Sequence, residues 1–94
     1  MKVKNINGTS KNICKCNSWI AHWEKFSEQD AGCCSEISCY ESTDLVGAHV
    51  QLTSIDMNWY IVPLCKKHNA AIGILELFQS TKIISANIKE TCNK

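Results

Sequence analysis

Two apolar-rich runs, Leu45 to Leu52 and Trp59 to Leu64, flank the polar stretch Thr53 to Asn58. Their length and their content of β-branched and aromatic residues predict two strands joined by a turn and paired as a β-hairpin. Pro63, the single proline, fits an edge or terminal strand position, where its missing donor is harmless. Upstream, Trp19, Ile20, Trp23 and Phe26 recur at helical spacing, while Glu24, Lys25 and Glu28 cover the other side. With Asn17 or Ser18 as a cap, this predicts an amphipathic helix over 18–28. Its aromatic face is either a core face or an exposed partner surface.

The remaining pattern is weaker. Residues 2–6 and 12–16 read as short strands around a turn at Asn7 and Gly8, the second ending in Cys14-Lys15-Cys16. Residues 29–44 are rich in Gly, Ser, Asp and Cys and show little apolar period, so they form a loop that needs a staple. After Cys65 the run KKHNAAI suits a short helix stopped by Gly73. Ile74 to Phe78 and Lys82 to Ile88 then read as a final hairpin. The expected fold is α+β: one domain over 1–94 with knuckle loop, hairpin and short helix, plus an N-terminal helix and additional short strands.

Size gives the staple its importance. A chain of 94 residues lies near the lower limit at which a hydrophobic core suffices unaided. Seven cysteines supply material for disulfides or for a metal site. The opening MKVKNINGTSKN has no continuous apolar core of a secretion signal, and no segment reaches the ~20 apolar residues of a membrane span. An odd cysteine count also argues against a complete disulfide framework. The expectation is a cytoplasmic chain with reduced thiols and no membrane partner. Formal charge is +1, and all ten basic residues are lysine. No whole-chain field draws nucleic acid, and the bidentate guanidinium fork that reads guanine or clamps phosphate is missing.

The cysteines and histidines are not scattered evenly. Cys34 and Cys39 are separated by four residues in the loop before the hairpin, and Cys65 and His68 stand where the second strand gives way to a helix. Zinc takes four such ligands in a tetrahedron, and two short-spaced pairs from separate elements tie a loop to a helix start. That is the geometry of a treble clef. A site of this kind couples on the order of 10–16 kcal/mol of binding free energy to folding. Cys33 competes with Cys34 for its role. Cys14 and Cys16 either belong to the same site or join His22, with His49 or Cys33, in a second one. Cys92, near a polar terminus, reads as a free thiol. His49, between Ala48 and Val50 on the first hairpin strand, is either half-buried or functional.

The stretch from Gly47-Ala48-His49-Val50 through YIVPLCKKHN resembles the HNH, or ββα-metal, nucleases over residues 34–72. The flanking residues lie outside that motif. The combination of CKC, SWIAHW, GAHV and IVPLCKKHN is also similar to small uncharacterised HNH-like bacterial or phage proteins. The resemblance implies that His49 is a general base activating water against a phosphodiester. It implies that Asn69 holds a catalytic divalent cation, and it loosely matches Asn58 to the middle Asn of the motif. Ala48 stands where an acidic metal ligand often stands, so such an endonuclease would be a degenerate one. The expected partner is DNA or RNA, with Lys66, Lys67, Lys11 and Lys15 converging beside His49. The alternative is a non-catalytic zinc module that binds a protein partner.

Overall fold

The apolar hairpin forms the middle of the molecule: β2 (Val46–Leu52) pairs antiparallel with β3 (Tyr60–Leu64), in a register running from Val46 opposite Leu64 to Val50 opposite Tyr60. The structure is a computed structural model that describes residues 1–6, 8, 13–54 and 56–92. β1 (Lys2–Asn5) lies against the free edge of β2, and β4 (Ile74–Glu76) lies against β1. On the other side β5 (Ile84–Ser85) pairs with β3, giving one antiparallel sheet in the order β4-β1-β2-β3-β5.

Side chains alternate between faces along a strand, so the register sorts the residues. Val3, Ala48, Val50, Val62, Leu64 and Leu75 share one face and form the main core. Cys34, Cys65 and Leu77 from the loops complete it. Gly47, His49 and Ile61 point to the opposite face, which α1 (Trp19–Ser27) covers. The helix lies so close that a Cβ on Gly47 would stand 2.3 Å from the Trp19 carbonyl carbon and 2.5 Å from the Ile20 nitrogen. Glycine is required there by contact distance.

Ser18 caps α1 by accepting from the Ala21 amide at 3.1 Å, and Glu28 ends it in a left-handed conformation (φ 59°), its amide donating to the Glu24 carbonyl. The buried residues of α1 are His22, Trp23 and Ser27. The buried stripe is therefore rotated toward His22 relative to the face that Trp19, Ile20, Trp23 and Phe26 alone define. The Trp23 indole donates to the Lys82 carbonyl at 2.8 Å, and the Lys82 ammonium donates to the Ser27 carbonyl at 3.1 Å, fastening the helix to the last third of the chain.

Pro63 sits past the end of β5, and its carbonyl accepts from the Ser35 amide at 2.9 Å. The amide position of a strand residue points the same way as its carbonyl, so the missing donor of Pro63 faces a loop and no ladder bond is lost.

Three expectations change. Residue 12 lies outside the described residues, and Ile13 to Cys16 are not a strand; the edge they would have joined is occupied by β2 and β4. The final two strands do not pair with each other but sit at opposite edges of the sheet. Each found a free edge elsewhere, and β4 is drawn to β1 by the Leu77 amide on the Met1 carbonyl (2.7 Å) and by the Met1 amino group on the Glu76 carboxylate. The helix after Cys65 is one turn, α2 (Lys66–Asn69), ending before Gly73. The carboxamide of Asn5 donates to the carbonyls of His68 (2.8 Å) and Ala71 (3.0 Å), which serves the last turn from outside the helix. Among the described residues, no helix is long and apolar enough to cross a membrane.

Candidate metal centre

Cys65 leaves β3 at its buried end and caps α2 in extended conformation (φ −70°, ψ 164°), its sulfur accepting from the His68 amide at 3.5 Å. One turn of helix brings the His68 ring back over the cap, with Nδ1 3.2 Å from the Cys65 sulfur and 3.6 Å from that of Cys34. Cys34 is held in the loop by its own amide on the Glu41 carbonyl (2.8 Å) and by the neighbouring Ser35 amide on Pro63. The loop then turns on Glu36, whose carbonyl accepts from the Cys39 amide at 3.0 Å, and this sets the Cys39 sulfur 3.9 Å from Cys65. The donor atoms of Cys34, Cys39, Cys65 and His68 all lie within 4.8 Å of one another, close enough for one ion to touch all four.

The thiols are tuned unequally. Burial pushes Cys34 up to about 11. Burial also pushes on Cys65, but hydrogen bonds from the His68 amide and ring and from the Cys34 and Cys39 thiols outweigh it and bring that thiol to about 7. Cys65 therefore offers a thiolate, the form that binds metal, before Cys34 does. Cys33 is exposed while Cys34 is buried, so the competition between these neighbours resolves in favour of Cys34.

Cys14 and Cys16 do not join this site. They lie beside α1, where their sulfurs and the His22 ring form a second group within 4.8 Å of one another. Cys16 Sγ is 3.8 Å from His22 Nδ1, and His22 Nε2 is 3.0 Å from the Ser85 carbonyl oxygen. Neither His49 nor Cys33 belongs to the group. The Cys92 sulfur accepts from the Lys15 amide at 3.4 Å, and burial followed by the neighbouring Cys92 pushes the Cys16 thiol up. Cys92 is a free thiol, as its place near a polar terminus suggests, but one held by a backbone amide.

The residues that the HNH resemblance singles out are not brought together. His49 is 6% exposed on the α1 face, edge-on to Trp19 (ring centroids 4.6 Å apart) and to Trp59 (6.2 Å). Burial, with the nearby His22, holds its imidazole below the ordinary value. Asn69 is exposed on α2, which rests on the opposite side of the sheet, against Asn5 and the Cys65 cap. Asn58 is occupied in the turn, its amide donating to Asp56 at 2.9 Å. Lys66 and Lys67 are exposed beside Asn69 and away from His49, Lys15 lies with the second group, and Lys11 falls outside the described residues. Among the described residues, neither ligand group contains a carboxylate or His49.

Asn5 and Cys92 are the participants that sequence reasoning passed over. Asn5 has no motif around it, since its role depends on pairing with Val50. For Cys92 the signal was arithmetic: after Cys34, Cys39 and Cys65 form one group and Cys33 is set aside, three cysteines remain. Comparison with protein-family models, with curated proteins and with solved structures gives no match for this chain.

Proposed function

We propose that Cys34, Cys39, Cys65 and His68 bind a structural zinc ion in a treble-clef arrangement, and that the domain so held is a binding module without catalytic activity. The mutual 4.8 Å spacing of the four donors carries this reading. Bond lengths of about 2.3 Å to sulfur and 2.0–2.1 Å to nitrogen in a tetrahedron require sulfurs about 3.8 Å apart and sulfur-to-nitrogen distances of about 3.6 Å. The 3.9 Å between Cys39 and Cys65 and the 3.6 Å between Cys34 and His68 meet those values, and the 3.2 Å between Cys65 and His68 opens slightly as an ion enters. Three thiols and an imidazole are a soft donor set, suited to zinc and poorly suited to magnesium or calcium. The ligand order of knuckle, hairpin and helix start supports the treble clef.

The separation of His49 from Asn69 by the sheet supports the non-catalytic part. A general base must reach the proton it takes, and a divalent cation must lie near the phosphate that the base's water attacks. On this reading the kinship with HNH proteins is one of scaffold. Nucleic acid remains the favoured partner over protein on one observation: Lys66, Lys67 and Tyr40 line the same open cleft of about 630 Å³ beside the zinc ligands. Lysines that neutralise phosphate next to an exposed aromatic that stacks a base are the chemistry of single-strand binding. Glu41 and Asp44 on the cleft wall keep that attraction modest.

Elemental analysis of the purified protein, with and without chelator, tests the zinc. A protein free of metal, or one whose fold ignores chelation, overturns the reading. A plasmid-nicking assay with Mg²⁺, Mn²⁺ or Ni²⁺ is expected to show no cleavage, and wild-type cleavage that disappears in His49→Ala would restore the nuclease. Oligonucleotide anisotropy across salt concentrations tests the cleft: affinity lost in the Lys66→Ala, Lys67→Ala double variant supports nucleic acid, and no affinity at low salt excludes it.

A further inference from the structure

We infer that Cys14, Cys16, His22 and Cys92 form a second zinc site, closed by the cysteine near the C-terminus, on the α1 side of the sheet. Its donors are separate from those of the first site, so it stands or falls independently.

The histidine is the most informative member. His22 is wholly buried, and its Nε2 lies 3.0 Å from the Ser85 carbonyl oxygen. A carbonyl oxygen only accepts, so Nε2 carries the proton and Nδ1 presents a lone pair. That lone pair faces Cys16 at 3.8 Å, within the thiol group. A ligating histidine characteristically has its other nitrogen fixed by a backbone carbonyl in this way. A buried imidazole held in one tautomer, with its other nitrogen 3.8 Å from the Cys16 sulfur and Cys14 within the same 4.8 Å group, is prepared for a metal and not merely packed.

Three protein ligands leave a coordination position open, the pattern of a catalytic zinc, whereas four close the site, the pattern of a structural one. Cys92 decides between them. The turns that end the described chain, with Glu90 and Thr91 amides on the Asn87 and Ile88 carbonyls (3.0 and 3.3 Å), carry it to the group. There its sulfur accepts the Lys15 amide at 3.4 Å, one residue along the chain from Cys16 and from Cys14. The 4.8 Å mutual spacing holds for Cys14, Cys16 and His22 only, so binding the ion draws Cys92 inward from the Cys16 side. Among the described residues the site has no carboxylate, and its donors are again three thiols and an imidazole, selecting a soft or borderline ion. Closed in this way, it ties the Cys14 to Cys16 loop, α1, β5 through Ser85 and the end of the chain into one unit.

Metal counting and Co²⁺ substitution test it on the full-length chain purified under reducing conditions. The wild type is expected to bind two ions, and Cys14→Ser one. Cys92→Ser is expected to keep the first ion and to hold the second about a hundredfold more weakly or worse, since even an outer-shell partner contributes about 10–100-fold. Its Co²⁺ spectrum should lose thiolate-to-metal charge-transfer intensity relative to the wild type. Cys92→Ser lies in the terminal turns, clear of the core, so folding does not obscure the result. A Cys92→Ser protein with unchanged affinity and spectrum removes Cys92 from the site. A wild type that binds only one ion, kept unchanged in Cys14→Ser, or a Cys16 to Cys92 disulfide, overturns the second site altogether. A single ion lost in Cys14→Ser but kept in Cys34→Ser would instead overturn the first.

Discussion

The two cysteine and histidine groups lie on opposite faces of one sheet and are assembled in different ways. The first takes its ligands as two close pairs, from a knuckle loop and from the junction of β3 with α2, and the strands between them set their separation. The second takes two cysteines separated by one residue and a histidine on the inner side of a helix, with Cys92 brought alongside by its bond to the Lys15 amide. Local geometry prepares the first: Cys65 and His68 meet because one helical turn brings positions three apart together. Nothing local prepares the second beyond Cys14 and Cys16. It exists because α1 packs on the sheet with His22 inward and because the terminal turns return to the same spot. A site made by neighbours in sequence belongs to the core that forms around it, whereas a site made by distant segments depends on their docking.

The largest test of that difference is loss of a ligand in the first group. Cys65→Ser is expected to leave the chain largely unfolded, because a zinc of this kind couples about 10–16 kcal/mol of binding free energy to folding, more than the ~5–15 kcal/mol net stability of a domain. Circular dichroism and amide-proton dispersion would check it; a folded, cooperative Cys65→Ser protein would place the first group among ordinary buried thiols.

Docking is addressed by Gly47→Ala. The new Cβ would meet the Trp19 and Ile20 backbone at 2.3–2.6 Å, and backbone cannot swing aside as a side chain does. Overpacking of this kind costs about 1–3 kcal/mol or more. The displacement of α1 should move His22 away from Cys14 and Cys16. Denaturant unfolding combined with metal competition should therefore show lower stability, a weakened second ion and a retained first one. Equal weakening of both ions would mean that the two sites are not independent.

A smaller effect separates the faces by pH. Burial, and then the neighbouring His22, lower the folded pKa of His49, so the unfolded chain takes up a proton first as the pH falls below about 6.5. The stability that neutral His49 contributes is full above that value and declines as pH falls toward the lower folded pKa. In His49→Gln this dependence should vanish. The stability difference between wild type and variant, followed from about pH 7.5 to about pH 5, should therefore shift against the wild type. A constant difference would show His49 to be solvated in the folded state.

The smallest expected effect sharpens the assignment of neighbours. Cys33 is exposed and belongs to neither group, so Cys33→Ser should leave metal content unchanged and stability within about 0.5 kcal/mol. Cys34→Ser, one residue along, should behave like Cys65→Ser. If the two exchanged behaviours, the knuckle would be threaded one residue out of register.

Much of this architecture is legible in the residues themselves. The alternation through Val46 to Leu52 and Tyr60 to Leu64, the Ser18 cap, the aromatic spacing of α1 and the CxxxxC and CxxH pairs depend on neighbours within a few positions, and local stereochemistry acts over that range. The partners of β4 and β5 were not legible, because any apolar edge can accept a short strand. The length of α2 was not legible either, since its carbonyls are met by Asn5, more than sixty positions away. His49 shows the same limit from the functional side. A motif gives its distance along the chain from Asn69, but the pleat decides which face it enters.

The sequence by itself determined the hairpin, the amphipathic helix and the Cys65 and His68 pair, because each is written in spacings of two, three or four residues that strand and helix geometry convert directly into proximity. Only the tertiary structure decided that Cys34 and not Cys33 enters the first site, that His22 turns inward beside Cys14 and Cys16 with its proton held toward Ser85, and that Cys92 returns to meet them. Those outcomes come from burial and from contacts between segments far apart in the chain, and no local pattern encodes which distant group will be there.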